Sequence, residues 1–299
     1  MRATASSVPC VAERGPDLLA VGAGYSVRPL IERAARAGQR VAATTRDAAK
    51  ADALRAAGIE PVLWAAPDPL PVRAATILVS VPPGEAGCPA LAALGEAALS
   101  GARVLYLSSS GVYGDHGGAW VDEETPCRPG TARGQRRLAA EEAWRAAAAR
   151  VGATLTCCRL AGIYGPGRNA VASLRGGTRG AAAGLARRVV KPGQVFNRIH
   201  RDDIAAGLAA LLRAEAPPPV VTFADDEPAP PQDVIAYAAR LLGAEPPPLV
   251  PFEAAELSPT ARSFYAENKR LRNDRLRALM GPLRYPSYRE GLSALASPG

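Results

Sequence analysis

Lysine is scarce in this chain. Lys50, Lys191 and Lys269 are the whole supply, so the formal charge of +8 rests almost wholly on arginine. Arginine pairs bidentately with phosphate and carboxylate, but most of these side chains read as a composition bias spread over the surface. Aromatics make up 5% of the residues and no dense basic block interleaves with them, which argues against a nucleic-acid partner. Histidine occurs only as His116 and His200, and the five cysteines (Cys10, Cys88, Cys127, Cys157, Cys158) lack metal-like spacing. An odd count without such spacing argues against a disulfide scaffold or a zinc site. Cys157 and Cys158 sit in the apolar run 153–160 and read as buried thiols that pack as small hydrophobes. No apolar run reaches the roughly 20 residues of a membrane span. Residues 1–15 hold no apolar block of the kind a secretion signal needs. Residues 1–16 are expected to be a disordered leader, and the protein is expected to be cytoplasmic. What remains, 48% hydrophobic and 21% charged over 299 residues, is ordinary globular composition with enough length for a sizeable core.

The most informative stretch is Leu18-Leu19-Ala20-Val21-Gly22-Ala23-Gly24-Tyr25. Four apolar residues run into two glycines, and helical apolar spacing follows over 29–37. This reads as a buried strand, a tight turn and the opening of a helix. Such a turn brings unpaired main-chain N–H groups and the positive end of a helix to one place, where a pyrophosphate fits. A second apolar strand over 40–45 completes the strand–helix–strand half of a dinucleotide site. In the G-x-G-x-x-G pattern the third glycine would stand at position 27, where this chain has Val27. That glycine serves close helix–strand packing, so the pyrophosphate turn survives its loss. A sharp strand-to-helix turn with no ligand is the competing reading. Gly22, Gly24 and Tyr25 are the candidate cofactor residues here. At the tip of the second strand Arg46 favours the extra phosphate of NADP, and Asp47, one step on, keeps NAD open.

Further along, a helix over 48–57, a strand over 59–64 and a clearer strand over 76–81 are expected. The last ends at Val81 and Pro82, which join the candidate cofactor residues. A helix over 91–99 and a strand over 104–108 follow, then a long polar loop over 109–131 of the kind that is functional or a lid. The pattern continues with a helix over 136–150, a strand over 154–160, a Gly/Pro turn over 165–168 and an unpatterned stretch over 173–188. A strand over 194–200 leads to a helix over 203–212 capped by Asp202. A strand over 220–223, a helix over 231–242 and a proline-rich connection over 246–251 complete the reading. Strands alternating with helices imply an α/β fold with a doubly wound parallel sheet of Rossmann type and right-handed crossovers. The expected domains are a nucleotide-binding part over 17–165 and a substrate-binding α/β region over 166–299, partly interleaved with the sheet.

The stretch Leu107-Ser108-Ser109-Ser110-Gly111-Val112-Tyr113-Gly114 resembles the S-S-x-x-V-Y-G block of extended short-chain dehydrogenases/reductases, the NAD-dependent epimerase/dehydratase group. Val121-Asp122-Glu123-Glu124-Thr125-Pro126 resembles the acid loop of that family. The run 159–168 resembles its R-x-x-x-I-Y-G-P-G block, and 199–205 its I-H-V-D-D segment. The matches span roughly residues 17–210 in the family's order. Asn268-Lys269-Arg270 with Tyr285-Pro286-Ser287-Tyr288 looks like an atypical subgroup described as YeeZ-like NAD(P)-binding proteins. The resemblance implies NADP or NAD as cofactor, a carbonyl or sugar-nucleotide substrate, and a homodimer built on two helices per subunit.

One departure stands out. The family's catalytic Y-x-x-x-K pair falls on Arg133-Gly134-Gln135-Arg136-Arg137, so arginines stand in both seats. Arginine stays protonated and cannot pass a proton as a phenol does, though it can hold phosphate or carboxylate. The resemblance makes Ser109 the catalytic serine, against the plainer role of a strand-end cap. Tyr113 is the candidate replacement acid/base, against packing beside the nicotinamide. Arg133, Arg137, Tyr164 and His200 are candidate substrate or anion contacts, with His200 also readable as a loop-ordering residue. His116 is expected to be exposed, with Asp115 orienting it as a base, and Asp122 is the candidate for a structural salt bridge. Two functions stay open: an oxidoreductase or epimerase with a non-standard acid/base group, and a non-catalytic NADP-binding redox sensor.

Overall fold

The computed structural model describes residues 15–176 and 187–297. The leader expected over 1–16 lies outside the described residues except for Gly15 and Pro16, as do Cys10 and residues 177–186 of the unpatterned stretch.

The first half alternates strand and helix: β1 (Leu18–Val21), α1 (Arg28–Arg36), β2 (Val41–Thr45), α2 (Ala48–Ala56), β3 (Glu60–Leu63), β4 (Thr76–Val79), α3 (Pro89–Leu99), β5 (Arg103–Ser109), β6 (Trp120–Val121), α4 (Ala132–Val151) and β7 (Thr154–Leu160). The second half holds β8 (Gly162–Tyr164), α5 (Ala170–Leu174), β9 (Arg188–Val190), β10 (Arg198–His200), α6 (Arg201–Arg213), β11 (Val220–Phe223), α7 (Pro231–Leu241) and β12 (Leu249–Pro251). It closes with α8 (Pro259–Phe264), β13 (Arg270–Leu271), α9 (Asp274–Met280) and α10 (Tyr288–Ala296).

Seven strands form one parallel sheet in the order β11-β7-β5-β4-β1-β2-β3. Every residue of β1 is buried, as a strand covered on both faces requires. Alternation along the strand divides its side chains between two cores. Leu18 and Ala20 join α1, α6 and α9 through Ile31, Leu208 and Leu276. Leu19 and Val21 join α3 and α4 through Leu94 and Trp144 on the opposite face. The expected doubly wound α/β fold is what the chain adopts. Chain order reverses between β1 and β4, which opens a crevice outside their carboxyl ends.

The C-terminal part is interleaved with this sheet, since β11 forms its edge beside β7. A third core of Tyr164, Val171, Val234, Tyr288 and Leu292 sits among α5, α7 and α10. The long loop after β5 is tied down by the tail. Strand β6 pairs with β13, and the Lys269 ammonium donates to the Gly114 carbonyl at 2.7 Å while pairing with Glu267 at 2.9 Å.

Local expectations need four corrections. The proline-rich connection over 246–251 carries β12, which pairs with β9. Helix α6 starts at Arg201 and is capped by the His200 ring, whose Nδ1 accepts the Asp202 N–H at 3.1 Å. Asp122 spends its Oδ1 on the Glu124 and Thr125 N–H groups, and the ion pairs of this loop are those of Glu124, 2.7 Å, and Glu123, 3.9 Å, with Arg275. His116 is half-buried with Nε2 on the Tyr113 carbonyl at 3.1 Å, while Asp115 turns to the Gly117 and Asn268 N–H groups. Cys88, Cys157 and Cys158 are buried free thiols, and burial pushes Cys157 up to about 12.

Candidate dinucleotide site and its neighbourhood

The turn after β1 is pinned from both sides. The Gly22 N–H donates to Thr44 Oγ1 at 2.8 Å, and the Ser80 hydroxyl donates to the Gly22 carbonyl at 2.8 Å. Gly22 has φ +97°, and a Cβ there would stand 2.6 Å from Ser80 Oγ and 3.1 Å from Val81 Cγ1. Only glycine fits both the backbone and the space. Val81 therefore adjoins the turn from β4, and Pro82 is exposed beyond it.

The Ala23 N–H donates to the Thr44 carbonyl at 3.3 Å, and the three N–H groups after it, of Gly24, Tyr25 and Ser26, find no acceptor among the described residues. They lead into α1, whose N-cap Val27 offers no side-chain acceptor. Unpaired donors and a helix N-terminus thus coincide at the crevice. Val27 itself is fully buried, so an apolar side chain fills the place of the third glycine by joining the core.

The Tyr25 hydroxyl donates to the Pro166 carbonyl at 3.1 Å, and its ring lies beneath two guanidiniums, Arg201 at 4.9 Å and Arg168 at 5.8 Å. Burial raises the Tyr25 hydroxyl above its ordinary range despite these cations. Gly165 makes the approach possible, because a Cβ on it would meet the Tyr25 hydroxyl at 2.7 Å. Arg168 and Arg201 stand in the quoted blocks of the sequence, yet nothing local to them points at Tyr25, 143 and 176 positions away by subtraction of their numbers.

His200 is 1% exposed. Its Nδ1 accepts a backbone N–H, so its Nε2 carries the proton, and that buried Nε2 has no partner among the described residues. Burial holds its pKa down at about 4. Tyr164 meets the His200 ring edge-on at 5.1 Å and donates to the Ser287 carbonyl at 3.3 Å. Burial pushes the Tyr164 phenol far up.

At the end of β5, Ser109 is half-buried and its Oγ accepts the Gly111 N–H at 3.2 Å. Tyr113 departs from the expectation of an accessible acid/base. It is fully buried, its hydroxyl is 2.8 Å from Thr222 Oγ1, and the Arg159 guanidinium covers its ring at 4.9 Å. Burial raises its pKa, and a group sealed in the core has no face for a substrate. Arg159 is in turn held by Glu141, with Nη2 2.9 Å from Oε2, and Ser108 donates to the same carboxylate. This buried network had no local signal, because Glu141 lies in a helix that reads as polar.

Arg133 and Arg137, the two arginines expected in the Y-x-x-x-K register, separate. Arg137 is half-buried, donating to the Leu107 carbonyl at 2.9 Å and the Tyr106 hydroxyl at 3.1 Å. Arg133 is exposed and stacks on Phe264 at 4.5 Å. Arg46 is exposed with no bond to a described residue, while Asp47 caps α2 through the Ala49 and Lys50 N–H groups at 2.9 and 3.3 Å.

Among the described residues there is no cluster of ligating side chains for a metal and no helix long and apolar enough to cross a membrane. No curated protein matches the chain. The model of the NAD dependent epimerase/dehydratase family matches residues 89–222. Among solved structures, a functionally unknown conserved protein from Silicibacter pomeroyi is 47% identical, with TM-score 0.84 over 94% of this chain and 98% of its own. MoeE5 in complex with UDP-glucuronic acid and NAD is 20% identical, with TM-score 0.72 over 94% and 97%. UDP-glucuronic acid 4-epimerase from Bacillus cereus, in complex with NAD, is 14% identical, with TM-score 0.69 over 93% and 95%. The last two share the fold. Residues 89–222 thus resemble the NAD dependent epimerase/dehydratase family, while the chain as a whole matches the Silicibacter protein over nearly its whole length.

Proposed function

We propose that the chain binds a pyridine dinucleotide with its pyrophosphate on the Gly24, Tyr25 and Ser26 N–H groups, and that it acts as an oxidoreductase or epimerase on a carbonyl or sugar-nucleotide substrate. The observation that carries this is the run of unaccepted N–H groups at the crevice between β1 and β4. Relatives of the same fold hold NAD with UDP-glucuronic acid or UDP-glucose, which supports a substrate of that kind. Arg46, exposed and unengaged, suits a 2′-phosphate, and Asp47 is occupied as a cap. We therefore favour NADP over NAD. The residues fit the cofactor, whose contribution when bound is hydride transfer. Ser109 orients the substrate oxygen, Val81 and Pro82 flank the nucleotide, and Arg168 and Arg201 hold Tyr25 over the turn.

The acid/base group is the non-standard part. In the atypical, YeeZ-like arrangement, the phenol and ammonium seats carry Arg133 and Arg137. Arg137 is a structural donor to β5, and Arg133 is free to meet an anion after leaving Phe264. Tyr113 keeps a packing role. One observation favours the redox-sensor reading: no accessible phenol stands at positions 109, 113, 133 or 137. Fluorescence titration with NADPH and NADH, followed by a stopped-flow screen of carbonyls and UDP-sugars, separates the two. Saturable binding with oxidation of the reduced cofactor by a carbonyl, or sugar inversion in the presence of the oxidised cofactor, supports the enzyme, and binding without turnover supports the sensor. Absence of binding to either nucleotide refutes both.

A further inference from the structure

The third core leaves room that the dinucleotide site does not use. Between α5, α7 and α10 lies a cavity of about 210 Å³, lined by Tyr164, Ala170, Arg198, Val234, Tyr288 and Leu292 among others. Its walls are mainly apolar, and one cation enters it. Arg198 donates through Nη1 to the Phe196 and Ala229 carbonyls at 2.9 and 3.2 Å. Its Nε and Nη2 have no acceptor among the described residues. The guanidinium lies 5.9 Å from the Tyr288 ring centroid.

The nearby carboxylates do not neutralise it by pairing. Asp225 is joined to Arg198 through the backbone, its N–H on the Arg198 carbonyl at 2.6 Å, but no ion pair links the side chains. Asp225 is 1% exposed, its Oδ1 takes the Glu227 N–H at 3.3 Å, and its Oδ2 is left without a partner. Burial pushes the Asp225 carboxyl well up, against the pull of the nearby Arg198 charge. Glu227 is held by Arg289 at 3.0 Å. A partly open, mainly apolar cavity is thus lined by a cation whose Nε and Nη2 have no protein acceptor among the described residues. That edge is the fork that grips a carboxylate with two parallel hydrogen bonds, and Arg198 itself is half-buried.

We propose that this cavity is a binding site for a small carboxylic acid with an aromatic or compact apolar body, its carboxylate on Arg198 and its body against Val234 and Leu292. The size suits one ring, since apolar cavities of about 150 Å³ take up benzene. The charge selects a carboxylate over a neutral body of the same shape. The site is separate from the turn after β1 and does not depend on what that turn binds.

The test is calorimetric titration of the full-length protein with sodium benzoate and, separately, with benzamide. One saturable benzoate site is expected, with benzamide at least about ten-fold weaker. Arg198→Met should weaken benzoate by a similar factor. Because Arg198 also holds two carbonyls, Ala170→Leu provides an independent variant that fills the cavity and leaves the guanidinium in place. It should abolish benzoate binding while circular dichroism and NADPH titration stay as in the wild type. Equal affinity for benzoate and benzamide would overturn the assignment. So would unchanged benzoate affinity in folded Ala170→Leu, or no saturable binding in the millimolar range.

Discussion

Gly22 and Gly24 make opposite demands on a methyl group, and the difference tests the dinucleotide site directly. A Cβ on Gly24 meets no atom within 4 Å, and its φ lies outside the left-handed region. Gly24→Ala should therefore cost the fold nothing. Restricting the unfolded chain should even stabilise it by about 0.4–1 kcal/mol. The same methyl stands on the turn where the backbone must approach a pyrophosphate. Pushing the ligand off removes charge-assisted hydrogen bonds worth about 1.5–3 kcal/mol each. Loss of two of them is roughly 3 kcal/mol or more, a hundred-fold fall in affinity at 1.4 kcal/mol per decade. Gly22→Ala behaves differently, because φ +97° and a Cβ 2.6 Å from Ser80 Oγ strain the protein itself. It should lose about 1–3 kcal/mol of stability along with nucleotide binding. The assay pairs urea unfolding of both variants with NADPH fluorescence titration. A stable Gly24→Ala protein that binds NADPH within a few-fold of wild type would refute the placement of the pyrophosphate on these N–H groups.

Three further outcomes follow from the packing. Arg159→Met strands Glu141, which is fully buried, and should cost about 3–5 kcal/mol in urea unfolding, while Arg159→Met with Glu141→Leu should recover most of it. Gly207→Ala puts a methyl 2.6 Å from Phe223 Cε1 and 2.7 Å from Leu276 Cδ1, so it should destabilise by about 1–3 kcal/mol with NADPH affinity unchanged. His200 has its pKa held at about 4 in the fold against an ordinary 6.5, so between these values the unfolded chain binds the proton and the folded chain does not. Stability from this residue is fully present above pH 6.5 and is lost as pH falls to about 4, by up to about 3 kcal/mol. His200→Asn keeps an N-cap acceptor and removes the titration. The buried carboxyls of Asp203 and Asp225, pushed upward, slope the other way in this window, so the wild-type minus variant difference is the quantity to measure. A flat difference between pH 4 and 6.5 would refute the assignment.

How much of this was legible depended on how far apart the interacting residues lie. The unit from Leu18 to Thr45 could be read because its signals are local: an apolar strand, two glycines and a helical period within one stretch. The same holds for the sheet strands, whereas the cap of α4, where Thr131 accepts the Gly134 N–H at 3.1 Å, went unread and the helix was expected to start four residues late. The cap of α6 was misread because an aspartate is the stronger local signal. His200 took the role through burial between Tyr164 and Tyr285, which no local pattern encodes. Tyr113 was misplaced for a related reason. A phenol beside a serine reads as chemistry when only the motif is seen, whereas Thr222 and Arg159, which decide where it points, arrive more than 40 residues later.

The candidate site divides along the same line. Its backbone part is local and therefore readable, since a turn can present N–H groups without help from distant side chains. Its side-chain part is assembled by the sheet. Strand β5 ends at Ser109 paired with Leu160 of β7, while Tyr25 reaches across to Pro166 and beneath Arg201. Chemistry on a bound nucleotide needs groups from that second set, and substitutions there can remove a proton carrier without disturbing the turn. A chain with arginines in the phenol and ammonium register can accordingly keep a nucleotide seat intact while its acid/base group changes or disappears. For this reason nucleotide affinity and turnover have to be measured as separate quantities in the same preparation. On the proposed reading, Gly24→Ala should lower nucleotide affinity, and a change at Ser109 or Arg133 should lower any turnover with affinity held.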